Sequence, residues 1–123
     1  MKVRFVGKIT EGLVIDALLG FSIKGSPRGK HAELIDAINK SGSQILSVDI
    51  PSGLNPDNGI PYNPCVRAEW TVTMALPKTG ILKPSAKKAV GELFVGNIGV
   101  PDEVYKRFGV RTPFRSKEIL LKA

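Results

Sequence analysis

The run ILSVDIPSGL, Ile45 to Leu54, constrains the fold more than any other stretch of this chain. Ile45, Leu46, Val48 and Ile50 read as a strand buried on both faces, the kind that parallel sheets contain. Pro51 has no N–H to give a sheet ladder, so the strand is expected to stop there, and Ser52 and Gly53 continue the break. Asp49 then falls at the carboxyl end of the strand, where open α/β sheets bind their ligands.

The remaining sequence bounds what can be built around that strand. A chain of 123 residues suits one domain spanning 1–123, and 42% hydrophobic with 24% charged residues is a soluble globular composition. No apolar run approaches the roughly 20 residues of a membrane helix, and the opening MKVRFVGKITEG has too short an apolar core for a signal peptide. Cys65 is the single cysteine, which excludes an intrachain disulfide and a cysteine cage for metal and fits a reducing cytoplasm. The net charge of +7 is scattered, apart from Lys83, Lys87 and Lys88 and the tail residues Arg111, Arg115 and Lys117. No aromatic residues alternate with these, so the pattern reads as a solvated basic surface with weak attraction for anionic small molecules, not as a nucleic-acid platform.

Strand and helix patterns alternate along the chain. LVIDALLG, Leu13 to Gly20, reads as a strand carrying Asp16, and the loop FSIKGSPRGK leads to a helix from about His31 to Lys40. Leu34, Ile35 and Ile38 share a face of that helix, which is expected to stop at Ser41 and Gly42 before the strand at Ile45. Such a strand–helix–strand unit implies parallel pairing. LNPDNGIPYNPC must be irregular, and Ala68 to Ala75 then alternates Trp70, Val72 and Met74 with threonines as a third strand, with Trp70 in the core. LPKTGILKPSAKKAVG is a loop with a helical turn near Ser85 to Ala89, and ELFVGNIG is a fourth strand. A helix over PDEVYKRFG has Pro101 at its first position, Asp102 and Glu103 at its positive end and Gly109 at its stop. Residues 110–123 form a basic tail with no readable fold. The class is α/β with a mostly parallel sheet.

Three local patterns carry chemistry, each with a plain alternative. Asp16 and Asp49 sit in or at the end of apolar strands, where a carboxylate is costly unless paired, hydrogen-bonded or bound to a cation. On adjacent parallel strands they would face one crevice, but each also suits a loop cap accepting backbone N–H groups. Ser52 follows Asp49 by three residues, and Asp16, Ser52 and nearby carbonyls are hard oxygen ligands suited to an alkali or alkaline-earth cation; an ordinary Asx/Ser turn fits as well. The loop Gly20, Phe21, Ser22, Ile23, Lys24, Gly25 and Ser26 runs from a strand end toward a helix start, where glycine N–H groups and Lys24 can meet an anion. It matches neither GxGxxG nor the Walker A pattern. His31 is the only histidine and starts a helix, with no serine or cysteine nucleophile beside it.

Taken together, VIDALLGFSIKG (Val14 to Gly25), SVDIPSGLNPDNG (Ser47 to Gly59), EWTVTMALPKTG (Glu69 to Gly80) and GELFVGNIGVPDEVY (Gly91 to Tyr105) resemble, in order and spacing, the NAD(P)H-hydrate epimerase family, the YjeF N-terminal domain. The resemblance implies a Rossmann-like three-layer fold that interconverts the C6 epimers of hydrated NADH and NADPH (NADHX and NADPHX). It implies one potassium ion held by Asp16 and Ser52, substrate contacts from Gly20 through Ser26 and from Asp49, and acid–base roles for Asp49 and Lys24. The matching segments cover about Leu13 to Gly109 and correspond to the C-terminal half of the domain. A complementary N-terminal half, or a homo-oligomer, is therefore expected to complete the site. The alternative is a non-catalytic binding module of the same fold, for which Asp16, Lys24, Asp49 and Ser52 have no chemical need.

Overall fold

In the computed structural model, residues 12–115 and 118–123 are described; the N-terminal reading and Lys117 lie outside them. Four parallel strands stand side by side in sequence order: β1 (Leu13–Asp16), β2 (Gln44–Val48), β3 (Trp70–Met74) and β4 (Glu92–Gly96). The parallel pairing of β1 with β2 is as the strand–helix–strand unit requires, with Asp16 opposite Ser47. A fifth strand, β5 (Leu120–Lys122), pairs antiparallel with β4, so the basic tail contains an element the sequence did not disclose. Three residues with a lysine among them are too few to show an alternation.

The helices are α1 (Gly29–Lys40), α2 (Lys87–Val90) and α3 (Asp102–Arg107), with two 3-10 turns at Gly80–Leu82 and Pro84–Ala86. α1 starts two residues before the expected His31, buries Ile35 and Ile38, and is closed by Ser41, whose N–H and hydroxyl both donate to the Ile38 carbonyl at 3.1 and 2.8 Å. Pro101 is the cap residue before α3 and not its first helical position.

Strands in spatial order joined by right-handed crossovers put every crossover on one side of the sheet. The burial pattern agrees. Asp16, Ile45, Ser47, Thr71, Thr73 and Val95 point to one face and all are buried. Ile35 and Ile38 of α1 pack there on Ile45, Val66 and Ala68, while Ala89 and Val90 of α2 join Ile50, Leu54, Ile81 and Ala86. The Thr71 hydroxyl donates to the Val90 carbonyl at 2.7 Å and ties β3 to the end of α2.

The opposite face corrects the expectation of a strand buried on both sides. Ile15 is 63% exposed and Leu13 58%, while Leu46, Val48, Trp70, Val72 and Phe94 are only half-buried. Trp70 therefore belongs to this open face and not to the core. Neither buried cluster includes a residue from it. The described residues thus build a sheet with α1 and α2 packed on one face in a mixed α/β fold.

Two strand boundaries move toward the site. β1 ends at Asp16 instead of running to Gly20, and β2 ends at Val48, which leaves Asp49 just outside the ladder and buried Ile50 beyond it. The long connection after β2 is irregular, as its prolines demand, yet ordered. Asn55 accepts from the N–H groups of Asp57 and Asn58 at 2.9 and 3.1 Å and donates to the Tyr62 hydroxyl at 2.9 Å. Asn39 of α1 clamps the far end, donating to the Cys65 carbonyl at 2.8 Å and accepting from the Arg67 N–H at 3.0 Å.

Candidate active site

Asp16 is fully buried at the end of β1 and is matched by donors. Its Oδ2 accepts from the Ser47 hydroxyl and the Ser52 N–H, both at 2.8 Å; its Oδ1 accepts from the Ser52 hydroxyl at 2.6 Å and more weakly from the Leu18 N–H at 3.4 Å. The Ser52 oxygen in turn accepts from the Leu19 N–H at 2.9 Å. A buried carboxylate without such partners would cost several kcal/mol, on the order of the penalty for any unpaired buried charge. The knot fixes the DIPSG turn against the end of β1. Gly53 completes that turn at φ +96°, and a Cβ there would lie 2.4 Å from the Pro64 carbonyl oxygen. Ser47 was not singled out by sequence reading; its only signal was its place opposite Asp16 in a parallel pair.

As a cation site, Asp16 and Ser52 fit in kind and fall short in number. They offer two hard oxygens, with the Leu19 carbonyl 3.4 Å from the Ser52 hydroxyl, whereas a hard cation gathers about six or more oxygen ligands. Among the described residues no group of three or more His, Cys, Asp and Glu is placed to hold a metal ion.

Asp49 takes up a left-handed backbone conformation, φ 70°, as β2 ends. Aspartate tolerates that region better than most residues, and the strain is the kind that clusters at functional sites. Its carboxylate turns away from Asp16 and toward β3. The Thr73 hydroxyl at 3.2 Å, the Met74 N–H at 3.3 Å and the Lys78 ammonium all donate to Oδ1. Lys78 also reaches the Thr73 hydroxyl at 3.4 Å. Oδ2 takes no hydrogen bond from any described residue. The ion pair is largely buried, with side-chain exposures of 21% for Lys78 and 16% for Asp49. Ala75, also left-handed at φ 61°, turns the chain after β3 and returns Lys78 to the strand ends. Sequence reading missed Lys78; the signal was a lysine in LPKTG just past an apolar strand.

Lys24, expected to work beside Asp49, lies elsewhere. It lines a separate cavity of about 430 Å³ with Leu19, Ile23, Gly25, Ser26, Pro27, Arg28 and His31, at the start of α1. Gly20, Phe21 and Ser22 lie exposed in the same loop. The strand ends therefore gather Asp16, Ser47 and Ser52 into one knot and Asp49, Thr73 and Lys78 into another, with the Gly20–Ser26 loop beyond. No hydrogen bond links the two carboxylates. Cys65 is half-buried, and burial, helped by the Asp16 charge and opposed by Arg67, pushes its thiol up to about 12. A thiol held so high keeps its proton at neutral pH, which lowers its nucleophilicity.

Fold and site together define an open α/β protein that carries a largely buried carboxylate–ammonium pair at the carboxyl ends of its strands. The family profile described as YjeF-related protein N-terminus matches residues 2–80. The chain belongs to this family. It is 44% identical over 104 residues to the NAD(P)H-hydrate epimerase of Dehalogenimonas lykanthroporepellens, a match spanning 85% of this chain and 40% of that protein. It is 38% identical over 117 residues to the NAD(P)H-hydrate epimerase of Rhodopirellula baltica, spanning 89% of this chain and 48% of the relative. It is also 42% identical over 92 residues to the bifunctional NAD(P)H-hydrate repair enzyme Nnr of Moorella thermoacetica, over 75% of this chain and 17% of that enzyme. The crystal structure of yeast ynu0 shares the fold with a TM-score of 0.71 at 24% identity, over 89% of this chain and 45% of the yeast chain. The chain thus spans less than half the length of each of these relatives. Among the described residues no helix is long and apolar enough to cross a membrane.

Proposed function

We propose that this chain supplies one wall of an NAD(P)H-hydrate epimerase site, interconverting the C6 epimers of NADHX and NADPHX once the rest of the domain is present. The observation that carries the reading is Asp49, with a lysine, a hydroxyl and an N–H all on one carboxylate oxygen and no hydrogen bond from any described residue on the other. Similarity to two proteins named as epimerases supports the substrate class.

Epimerisation at a carbon bearing a hydroxyl beside the ring nitrogen can run by elimination and readdition. The C6–O bond breaks as the oxygen takes a proton and leaves as water, the nitrogen lone pair forms the C=N bond, and the ring becomes cationic. Water then adds to the opposite face of C6 and gives up a proton. The departing oxygen needs an acid, the entering water a base, and the cation a nearby negative charge. Lys78 is the acid of this scheme, and the open oxygen of Asp49 serves as base and counter-charge. Lys24 takes up a binding role instead, with Arg28 and His31 in a loop cavity suited to the dinucleotide's phosphates. Asp16 and Ser52 would hold potassium with oxygens from the remaining part of the domain, and the ion would supply positive charge near those phosphates. The lone cysteine fits a cytoplasmic setting.

Asp49→Asn in the completed assembly tests the reading. Asparagine keeps the left-handed backbone and removes the charge, so epimerisation should fall by about 10²–10⁴-fold, the range of general acid–base catalysis. Near-normal turnover would refute it.

A further inference from the structure

We propose that the cavity between the segment 61–67 and α2 is a second ligand site, one that takes a small phosphate monoester with a compact apolar body. It stands apart from the strand-end site and does not depend on the epimerase reading.

The cavity encloses about 420 Å³, within the range of small-molecule pockets. Asp49 and Lys78 do not line it, nor does any residue of the Gly20–Ser26 loop. Its polar lining donates and carries no carboxylate. Arg67 and Lys88 bring two positive charges, and neither is in an ion pair among the described residues. Ser85 and Tyr62 add hydroxyls, and Asn63 adds an amide. The Tyr62 oxygen already accepts from the Asn55 amide at 2.9 Å, which leaves its own proton for a further acceptor.

Two cations beside hydroxyl donors select a dianion over a monoanion. A phosphate monoester carries nearly two charges at neutral pH, since its second pKa is about 6, and its oxygens match the fork of a guanidinium. A carboxylate would answer only one of the two cations. The rest of the wall is apolar, from Pro61, Val66, Ala89 and the Cys65 side chain, and suits a compact organic body. Burial keeps the Cys65 thiol protonated at neutral pH, so it does not repel an anion. The Asp16 charge also bears on that thiol, but its oxygens are taken up by Ser47 and Ser52 and it does not line the cavity.

The walls are held in place before any ligand arrives. The Tyr62 N–H donates to the Gly53 carbonyl and the Val66 N–H to the Ser52 carbonyl, both at 2.8 Å. The Ala68 N–H donates to the Ala89 carbonyl at 2.9 Å and ties the segment to α2, while Asn39 clamps Cys65 and Arg67 from α1. A ligand therefore has little backbone to order, and that ordering is a main cost of binding.

The test titrates phenyl phosphate into the isotope-labelled 123-residue chain and follows backbone amide shifts, with phenol and inorganic phosphate titrated separately. Saturable one-to-one binding is expected, with the shifts centred on Tyr62, Asn63, Arg67, Ser85 and Lys88. Inorganic phosphate should move the same amides with lower affinity, and phenol should not saturate. Arg67→Gln and Lys88→Gln should each weaken phenyl phosphate by about tenfold or more, the effect of losing a charge-assisted hydrogen bond. Both side chains are exposed, and the amide spectrum establishes that each variant is folded. Lys40→Gln, an exposed cation outside the cavity, should leave the affinity unchanged. No saturable binding, binding indifferent to both cavity variants, or phenol binding as tightly as its phosphate would overturn the proposal. Shifts centred on Lys24, Arg28 and His31 would also overturn it, by placing the phosphate in the loop cavity.

Discussion

Asp49 was legible from its neighbours because Pro51 had to end the strand and so delivered a carboxylate to the sheet's carboxyl edge. Its partner was not, since Lys78 lies 29 residues away and reaches Asp49 only through the turn at Ala75. No local pattern encodes that return, and the lysine nearest in motif, Lys24, was the natural choice from sequence. Lys78→Met should therefore lower kcat of the assembled enzyme by about 100-fold or more while KM changes little; a change confined to KM would make Lys78 a binding group and not the acid. Cys65 gives a second prediction at this scale. Its thiol is held up to about 12 in the folded chain against an ordinary 9.0, with burial the main cause. Below pH 9 the thiol is neutral in both folded and unfolded chains and contributes nothing to the pH dependence. Above pH 9 the unfolded thiol ionises while the folded one keeps its proton, so stability falls as pH rises toward 12. Alkylation at pH 9 should be many-fold slower in the native protein than in urea, and equal rates would contradict the burial argument.

At the scale of elements, strands were readable where β-branched residues alternate, as in β3, and where an apolar run meets a breaker, as in β2. Their ends were not. LVIDALLG continues apolar past Asp16, yet the ladder stops there because the Asp16 carboxylate takes the Ser47 and Ser52 donors and the chain turns toward the loop. Periodicity also cannot tell a strand covered on both faces from one covered on a single face, which is why Leu46, Val48 and Trp70 were misplaced. The turn that joins β2 to the irregular segment depends on Gly53. Its left-handed φ of 96° and the 2.4 Å approach of the Pro64 carbonyl to any Cβ leave no room for a side chain. Gly53→Ala should cost more than about 2 kcal/mol in urea unfolding, from backbone strain and steric overlap combined. A loss under about 0.5 kcal/mol would show that the turn relaxes freely.

For the molecule as a whole, charge was informative mainly in what it declined to show. The +7 net charge has no aromatic platform among its basic residues in the sequence, and among the described residues every lysine and arginine except Lys78 is exposed. What the sequence could not disclose is the asymmetry of the sheet, a consequence of strand order that no local pattern carries. Among the described residues β1 pairs on one side only, and Asp16 lies hydrogen-bonded to Ser52 at its end. The central claim is that Asp49 is catalytic within an assembled epimerase site. The most direct measurement is the rate at which the assembled complex equilibrates the two C6 epimers of NADHX, for the wild-type chain and for Asp49→Asn in a complex of the same stoichiometry. We predict equilibration well above the spontaneous rate for the wild type and a loss of at least about 100-fold for the variant. A complex that forms but never exceeds the spontaneous rate, or an Asp49→Asn complex that matches the wild type, would contradict the account and leave a binding module of the same fold.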